Sequence, residues 1–390
     1  MVLGDLGADV IKVEPPGGDA TRGWGPPWVG DEADGTRTAA YFLAVNRNKR
    51  SIRVDLRRSE GADVLRRLLA GADVLVENFR AGSLDGLGFG DDALRAINPR
   101  LVHLAITGYG AASPDPARPG YDFVIQAESG LMSITGSSDE DGGGPTKVGV
   151  AIADVATGLQ AAVAILAALV GRDAGRGRDA GRGRDARAHG QRIDLSLLDS
   201  TLAVLVNQAQ NAFVSGVSPG RLGNAHPNIV PYQTFETADG AIAVAVGSER
   251  QWPRFCRALG LPALADEPRF ASNGDRVANR EELIATLAGR FAERTSAEWL
   301  AALDAAEIPA GPINDIAAAF ASPWTAGRTV ELDHPRLGRT RQVLPPFDLT
   351  ATPATIRTPP PLLGEQTDEI LAEIGVGATE ASRLRREGIV

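Results

Sequence analysis

Four short apolar runs in the first third of the chain constrain its fold more than any other feature. They are "ADVIKVE" (8–14), "RSIRVDL" (50–56), "DVLVEN" (73–78) and "LVHLAITG" (101–108), rich in Val and Ile and bounded by Gly, Pro or Asn. Runs of this length and composition read as buried strands. Between the second and third, "SEGADVLRRLLAGA" (59–72) spaces Val64, Leu65, Leu68 and Leu69 as one helical face, with Ser59 placed to cap it. Strand, helix, strand at this rhythm predicts βαβ units, and so an α/β fold whose mostly parallel sheet carries helices on its faces.

The rest of the chain divides by character. The stretch from Val155 to Val170 predicts a core helix, followed by a strand in "RIDLSLL" (192–198) and a helix in "DSTLAVLVNQAQNAFVSG" (199–216). Turn residues in "SPGRLGNAHPNIVP" (218–231) predict a linker or surface loop. "YQTFETADGAIAVAV" reads as a hairpin turning at Asp239-Gly240, and amphipathic helices follow from Glu249 to about Glu307, one capped by Ser or Thr in "ERTSAEWLAAL". From Thr325 the chain is Pro-rich and extended and ends in the helix "GEQTDEILAEIG". The expected division is a large domain over 1–216, a linker and smaller α+β domain over 217–324, and a segment over 325–390 that returns to the large domain. The repeat "GRDAGRGRDAGRGRDARAHG" (171–190) lacks any apolar residue beyond alanine, so it cannot bury a core. It reads as a flexible surface insertion, with an arginine phosphate loop as the other reading.

Several function classes are disfavoured. A net charge of -9 argues against a dedicated nucleic-acid surface, which needs a basic patch. A single cysteine, Cys256, gives neither a disulfide framework nor a thiolate metal site, and His103, His189, His226 and His334 never fall at metal-ligand spacing. No metal is expected. The longest apolar run, Ala161 to Val170, is too short to span a bilayer, and no signal peptide opens the chain, so the expectation is a cytoplasmic protein without a membrane role. Gly108-Tyr109-Gly110 and Gly88-Phe89-Gly90 give only a partial phosphate-loop pattern. "GVSPG" (216–220) matches GxSxG but lacks the strand–turn–helix setting that a nucleophilic serine needs.

One carboxylate stands apart. Asp154 lies in "KVGVAIADVATGLQAAVAILAAL" with no charged neighbour for six residues on either side. At the start of a helix it can serve as an N-cap. The same place holds a carboxylate ionised, and small neighbours (Ala153, Ala156, Gly158) leave room for a ligand. Such a carboxylate can act as a nucleophile toward an activated acyl group. Other polar positions cluster at the ends of the predicted strands: "NRNKRSI" before the second, "VENFRAGSL" with Asn78 and Arg80 after the third, and "RPGYDF" with Tyr121 and Asp122 after the fourth. Ligand crevices form at such carboxyl ends.

Taken together, these segments resemble family III CoA-transferases, the CaiB–BaiF group. The matching stretches are "DLGADVIKVEPPGGDATRGW", "NRNKRSIRVDL", "ADVLVENFRAGSLDGLGF", "NPRLVHLAITGYG", "RPGYDFVIQAESGLMSITG", "VGVAIADVATGLQAA", "GQRIDLSLLDS" and "PPPLLGEQTDEIL", in order over nearly the whole chain. "GNAHPNIVPYQTFETADGAIAVAVG" looks most like members that move CoA between dicarboxylic acids, such as succinate–hydroxymethylglutarate or glutarate CoA-transferases. The resemblance implies a Rossmann-like large domain and a small domain in a ring-like monomer, two of which interlock as a homodimer. It implies no permanently bound cofactor, with CoA and acyl-CoA as substrates: an acyl-CoA donor and a carboxylate acceptor. Asp154 matches the nucleophile, which passes through an aspartyl mixed anhydride and an aspartyl-CoA thioester. CoA contacts are implied at Val54, Asp55, Leu56 and Arg57, at Asn78, Phe79 and Arg80, and at Tyr121 and Asp122. His226, Pro227 and Asn228 match the loop over the reacting acyl group, and Trp24 matches an aromatic near the active site.

The chain also departs from that pattern. Relatives begin with a further strand and turn before the position of Met1, so the start is expected to be either misplaced or that of a truncated product. Pro15 and Gly86 stand where formyl-CoA transferases carry CoA-contacting arginines. Two other readings are an α-methylacyl-CoA racemase of the same fold and a non-catalytic CoA-binding homologue. The racemase would need histidine where Tyr121 stands, and a phenol is a poor base near neutral pH. Arg221, beside the 226–228 loop, is either a partner for a distal carboxylate or a solvated surface arginine.

Overall fold

The computed structural model describes residues 1–174 and 189–390. Residues 175–188 of the GRDAGR repeat therefore lie outside the described residues, while its first residues end the helix Ile152–Asp173. The chain forms two compact units. The first contains residues 1–125, 151–204 and 326–390, and the second residues 126–150 and 205–325. Against the expected ranges, the boundary after the large domain falls at 204/205 and not near 216, and residues 126–150 join the second unit.

In the first unit the four apolar runs form strands: β1 (Val10–Glu14), β2 (Lys49–Arg53), β3 (Val74–Glu77) and β4 (Val102–Thr107), joined by β5 (Arg192–Ser196). All pair in parallel, but in two sheets. One is β1–β2, with Val10 opposite Lys49, and the other is β3–β4–β5, with Val74 opposite Val102 and His103 opposite Arg192. The central β4 is buried from Val102 to Ala105, as its largely apolar sequence predicts, and the burial includes His103. The helix Ser59–Gly71 buries Val64, Leu65 and Leu69. Ser59 is its first residue; the cap position belongs to Arg58, whose side chain makes no cap bond, so the expected serine cap is corrected.

The helix Ile152–Asp173 packs on β4 and β5 through Ala161 and Ile165. At 22 residues it is long and apolar enough, on length and composition alone, to cross a membrane, which the shorter run Ala161–Val170 did not show. The expected helix 199–216 is instead two, Leu197–Ala203 and Val206–Ser215, separated where Val206 takes a φ of 39°. A left-handed valine cannot continue a right-handed helix.

"NRNKRSI" is structural where a ligand loop was one reading. Arg47 is buried against Asp5 at 2.8 Å, and Asn48 donates to the same carboxylate at 2.8 Å. The second unit has an aromatic core of Phe235, Phe255, Phe291, Trp252 and Trp299. Its hairpin, Tyr232–Glu236 with Ala241–Ala245, turns at Asp239-Gly240 as the sequence predicts. Thr295 caps the helix Ser296–Ala305 in a reciprocal box with Glu298. In the return segment the stretch read as extended contains an antiparallel hairpin, Thr329–His334 with Gly338–Val343. The helices Thr367–Glu373 and Ala378–Arg386 then pack Ile370, Leu371 and Leu384 against Ile52 and Val54.

Candidate active site

Asp154 is the third residue of its helix, not its cap; Ala151 holds the cap position and has no side chain to bond with. The N-cap reading is thus corrected. The first turn is instead capped from outside, by the Asp122 carboxylate, which accepts from the Ala153 N–H at 2.8 Å. Ala153 is fully buried in a cluster with Tyr109, Ile125 and Leu197. The main chain one residue before Asp154 is therefore held by packing and by a charge-assisted hydrogen bond. Asp154 itself stays exposed.

One close backbone approach brings Asp122 to this point. Gly108, at the end of β4, lies against Gly120; a Cβ on Gly108 would sit 2.7 Å from the Gly120 Cα and N. The partial GxG motif thus has a packing reason for its first glycine. From Gly120 the chain reaches Tyr121, 69% exposed, and the helix Asp122–Glu128, whose Ile125 N–H bonds the Tyr121 carbonyl at 3.0 Å.

The electrostatics run against the expectation that the helix end alone governs Asp154. Its carboxyl is held above the usual aspartate range, first by partial withdrawal from solvent and second by the negative charge of Asp122. A carboxylate made more basic in this way is a better nucleophile. Tyr41, a residue the sequence reading passed over, belongs to the same neighbourhood. Burial raises its phenol, and the charges of Asp154 and Asp122 add to the rise. The Trp24 ring meets Tyr41 edge-on, with centroids 5.2 Å apart. Trp24, Tyr41, Asp122 and Asp154 thus form one group. No sequence signal marks Tyr41, because its place follows from the docking of the short helix Ala40–Val45 and not from spacing.

The strand-end residues vary in what they can offer a ligand. Val54 is a core residue, 1% exposed. Asp55 is gripped by its neighbour Arg57 at 2.9 Å, and the Arg57 side chain is largely in solvent. Leu56 is part-buried beside Val54 and Val64. After β3, Phe79 is exposed and its N–H bonds Glu77 at 2.7 Å, while Asn78 precedes it. Arg80 donates to the Ala117 carbonyl at 3.2 Å, which ties this loop to the turn before Tyr121.

His226, Pro227 and Asn228 lie in the second unit. Arg280 donates to the His226 and Pro227 carbonyls at 2.8 and 3.0 Å, and Asn273 to the Asn228 carbonyl at 2.8 Å. The Asn211 amide reaches the Asn228 side chain at 3.0 Å. The loop is therefore braced from three helices, Val206–Ser215, Asn273–Ala278 and Arg280–Phe291. Arg221 is neither solvated nor unpaired: its buried side chain bonds Asp139 and the Ser137 carbonyl.

Comparison with known proteins agrees with this architecture. The sequence profile of "CoA-transferase family III" matches residues 1–367. A succinate–glutarate CoA-transferase of Agrobacterium fabrum is 44% identical over 380 residues, covering 96% of this chain and 90% of that protein. The succinyl-CoA:glutarate CoA-transferase of Homo sapiens is 41% identical, covering 96% and 81%. A CaiB/BaiF family protein from Brucella suis superposes with a TM-score of 0.79 at 44% identity, over 95% of this chain and 93% of that one.

Proposed function

The chain belongs to CoA-transferase family III, and from that premise we propose that it moves CoA from succinyl-CoA to a dicarboxylate such as glutarate, through covalent intermediates on Asp154. The observation that carries the reading is the exposed, basic carboxylate of Asp154 on a first turn anchored at Ala153. A carboxylate oxygen of Asp154 attacks the thioester carbonyl carbon. The C–S bond breaks, CoA departs as thiolate, and a mixed anhydride remains. The thiolate then attacks the Asp154 carbonyl of that anhydride, which expels the donor carboxylate and leaves an aspartyl-CoA thioester. The acceptor carboxylate repeats both steps in reverse order, and no net proton is gained or lost. Each step exchanges acyl groups of similar energy, so positioning and electrostatics can carry the rate.

The strand-end loops after β2, β3 and β4 supply the CoA contacts in this proposal. CoA enters as substrate, with no resident cofactor, in the cytoplasm. We further infer a homodimer. Val155, Leu159, Val163, Leu166 and Val170 form one stripe along the Ile152–Asp173 helix and are 41–68% exposed in the single chain. A stripe of this length is too costly to leave in water and fits a second copy.

The test is chemical trapping. Wild-type protein incubated with succinyl-CoA and quenched with hydroxylamine or borohydride should carry its modification on the peptide containing Asp154, by mass spectrometry. Asp154→Asn should lose both label and transfer. A variant that still transfers CoA overturns the mechanism, and racemisation of a 2-methylacyl-CoA by the wild type would favour the racemase reading.

A further inference from the structure

We infer that Arg22 is a positioning residue: its guanidinium mounts Trp24 and Tyr41 as one rigid aromatic pair that keeps water from acylated Asp154, so that CoA passes to the acceptor acid and is not lost to hydrolysis. The inference rests on Asp154 being the nucleophile.

The guanidinium holds three segments of the first unit together. Its Nε and Nη2 donate to the two Glu14 carboxylate oxygens at 2.8 and 2.7 Å, at the end of β1. Its Nη1 donates to the Pro361 carbonyl at 3.1 Å. Its carbon centre lies 3.7 Å from the centroid of the Phe42 ring. A forked ion pair with an aromatic ring against it fixes a guanidinium in both place and orientation, which an ammonium group cannot match. The mount is buried, with Glu14 1% and Phe42 0% exposed. Glu14 also accepts from the Ser51 hydroxyl on β2 at 2.6 Å and from the Asp19 N–H at 3.0 Å.

Both rings are attached directly to this mount. Trp24 follows Arg22 by two positions and closes the turn Ala20–Gly23, its N–H donating to the Thr21 carbonyl at 3.3 Å. The Asp19 carboxylate caps the same turn, accepting from the Thr21 N–H at 2.8 Å. Tyr41 immediately precedes Phe42 in the helix Ala40–Val45, which packs on that turn. The two rings meet edge-on at 5.2 Å, yet Trp24 is 49% and Tyr41 44% exposed. Large rings half in water beside locked neighbours make a preset apolar wall for a ligand. Burial, and then the Asp154 and Asp122 charges, raise the Tyr41 phenol, so the wall stands within the field of the nucleophile. Water reaching the aspartyl-CoA thioester would attack its carbonyl carbon and break the C–S bond. CoA would leave as the thiol, and Asp154 would return as carboxylate with one proton released. A site closed to water suppresses this side reaction.

Arg22→Lys keeps the charge and loses the fork, and Arg22→Gln loses both. One readout is acrylamide quenching of Trp24 fluorescence, taken as the difference between each protein and its Trp24→Phe counterpart. The other is CoA released from succinyl-CoA without acceptor, relative to CoA transferred to glutarate. Both Arg22 variants should quench more readily and raise the hydrolysis-to-transfer ratio roughly tenfold. Trp24→Ala, a change at an exposed ring, should raise the ratio by itself, and a wild-type ratio there overturns the inference. Arg22 variants that lose stability in urea but keep wild-type quenching and ratio also overturn it and leave Arg22 a structural ion pair. If neither Arg22 variant folds, Phe42→Leu decides, because it removes the ring against the guanidinium and keeps a buried apolar side chain; wild-type quenching and ratio in that variant overturn the inference. Wild-type protein that is neither labelled at Asp154 nor active in transfer overturns the nucleophile reading and this inference with it. A labelled, active wild type with unchanged variants overturns this inference alone.

Discussion

Replacing Gly108 with alanine tests whether the site is aimed by backbone contact. Gly108 does not have a positive φ, so the substitution carries no conformational strain and its cost is spatial. The new Cβ would meet the Gly120 Cα and N at 2.7 Å, where ordinary contact begins at 3.4 Å. Both opposing atoms are main chain, so no side chain can rotate away, and the deficit of about 0.7 Å must be met by moving a strand end or the turn at 118–121. Overpacking of this kind costs about 1–3 kcal/mol. The displacement passes two residues on to Asp122, whose 2.8 Å bond to Ala153 would lengthen to about 3.5 Å and cease to act as a hydrogen bond. A shift of that size at a reacting group lowers the rate by roughly 10- to 100-fold. Urea unfolding and kcat with succinyl-CoA and glutarate would measure the two effects separately. Gly289→Ala is the control: it lies in the helix Arg280–Phe291 with nothing within 4 Å of the added methyl, and should gain stability by about 0.5–1 kcal/mol. A Gly108→Ala protein with wild-type stability and wild-type kcat would refute the reasoning.

Three further outcomes are expected. Gly61→Ala places a methyl 2.1 Å from the Asp55 carbonyl oxygen, so it should push the 54–57 loop outward and weaken CoA binding, read by calorimetry; unchanged affinity would remove that loop from the CoA site. Asp154 has a folded-state pKa above its unfolded value, so the stability it contributes is complete below the ordinary aspartate range and is lost as pH rises through the raised value. Asp154→Asn should therefore melt above wild type at pH 7, by a small margin because solvent screens an exposed group, and the gap should close near pH 4 or about there; a variant that melts lower at pH 7 contradicts this. Cys256 is fully buried and its thiol is pushed up to about 12 by burial, so it should resist iodoacetamide until the second unit unfolds, and fast native-state alkylation would contradict the packing.

Part of the first unit is readable without coordinates because its central strand β4 is buried on both faces. Val102, Leu104, Ala105 and Ile106 place apolar residues on both faces of that strand, with His103 the one polar residue among them, so composition marks it. The capping box at Thr295 and the Asp239-Gly240 turn are equally local, and both stand where the sequence places them. The hairpin Thr329–His334 with Gly338–Val343 escaped notice because its strands alternate charged residues in a Pro-rich setting. The helix break at Val206 left no Gly or Pro to announce it.

For the site, sequence by itself determined that Asp154 is an isolated carboxylate at the start of an apolar helix, and the family resemblance made it the expected nucleophile. Those facts depend on neighbours within one helical turn. Tertiary structure alone decided what holds Asp154 there and how basic it is. Asp122 is 32 positions earlier and Tyr41 more than a hundred; the packing of Gly108 on Gly120 and of Ala153 among Tyr109, Ile125 and Leu197 brings in Asp122, and the docking of the helix Ala40–Val45 brings in Tyr41. Coulombic and desolvation effects depend on distance through space, which a pattern along the chain does not encode.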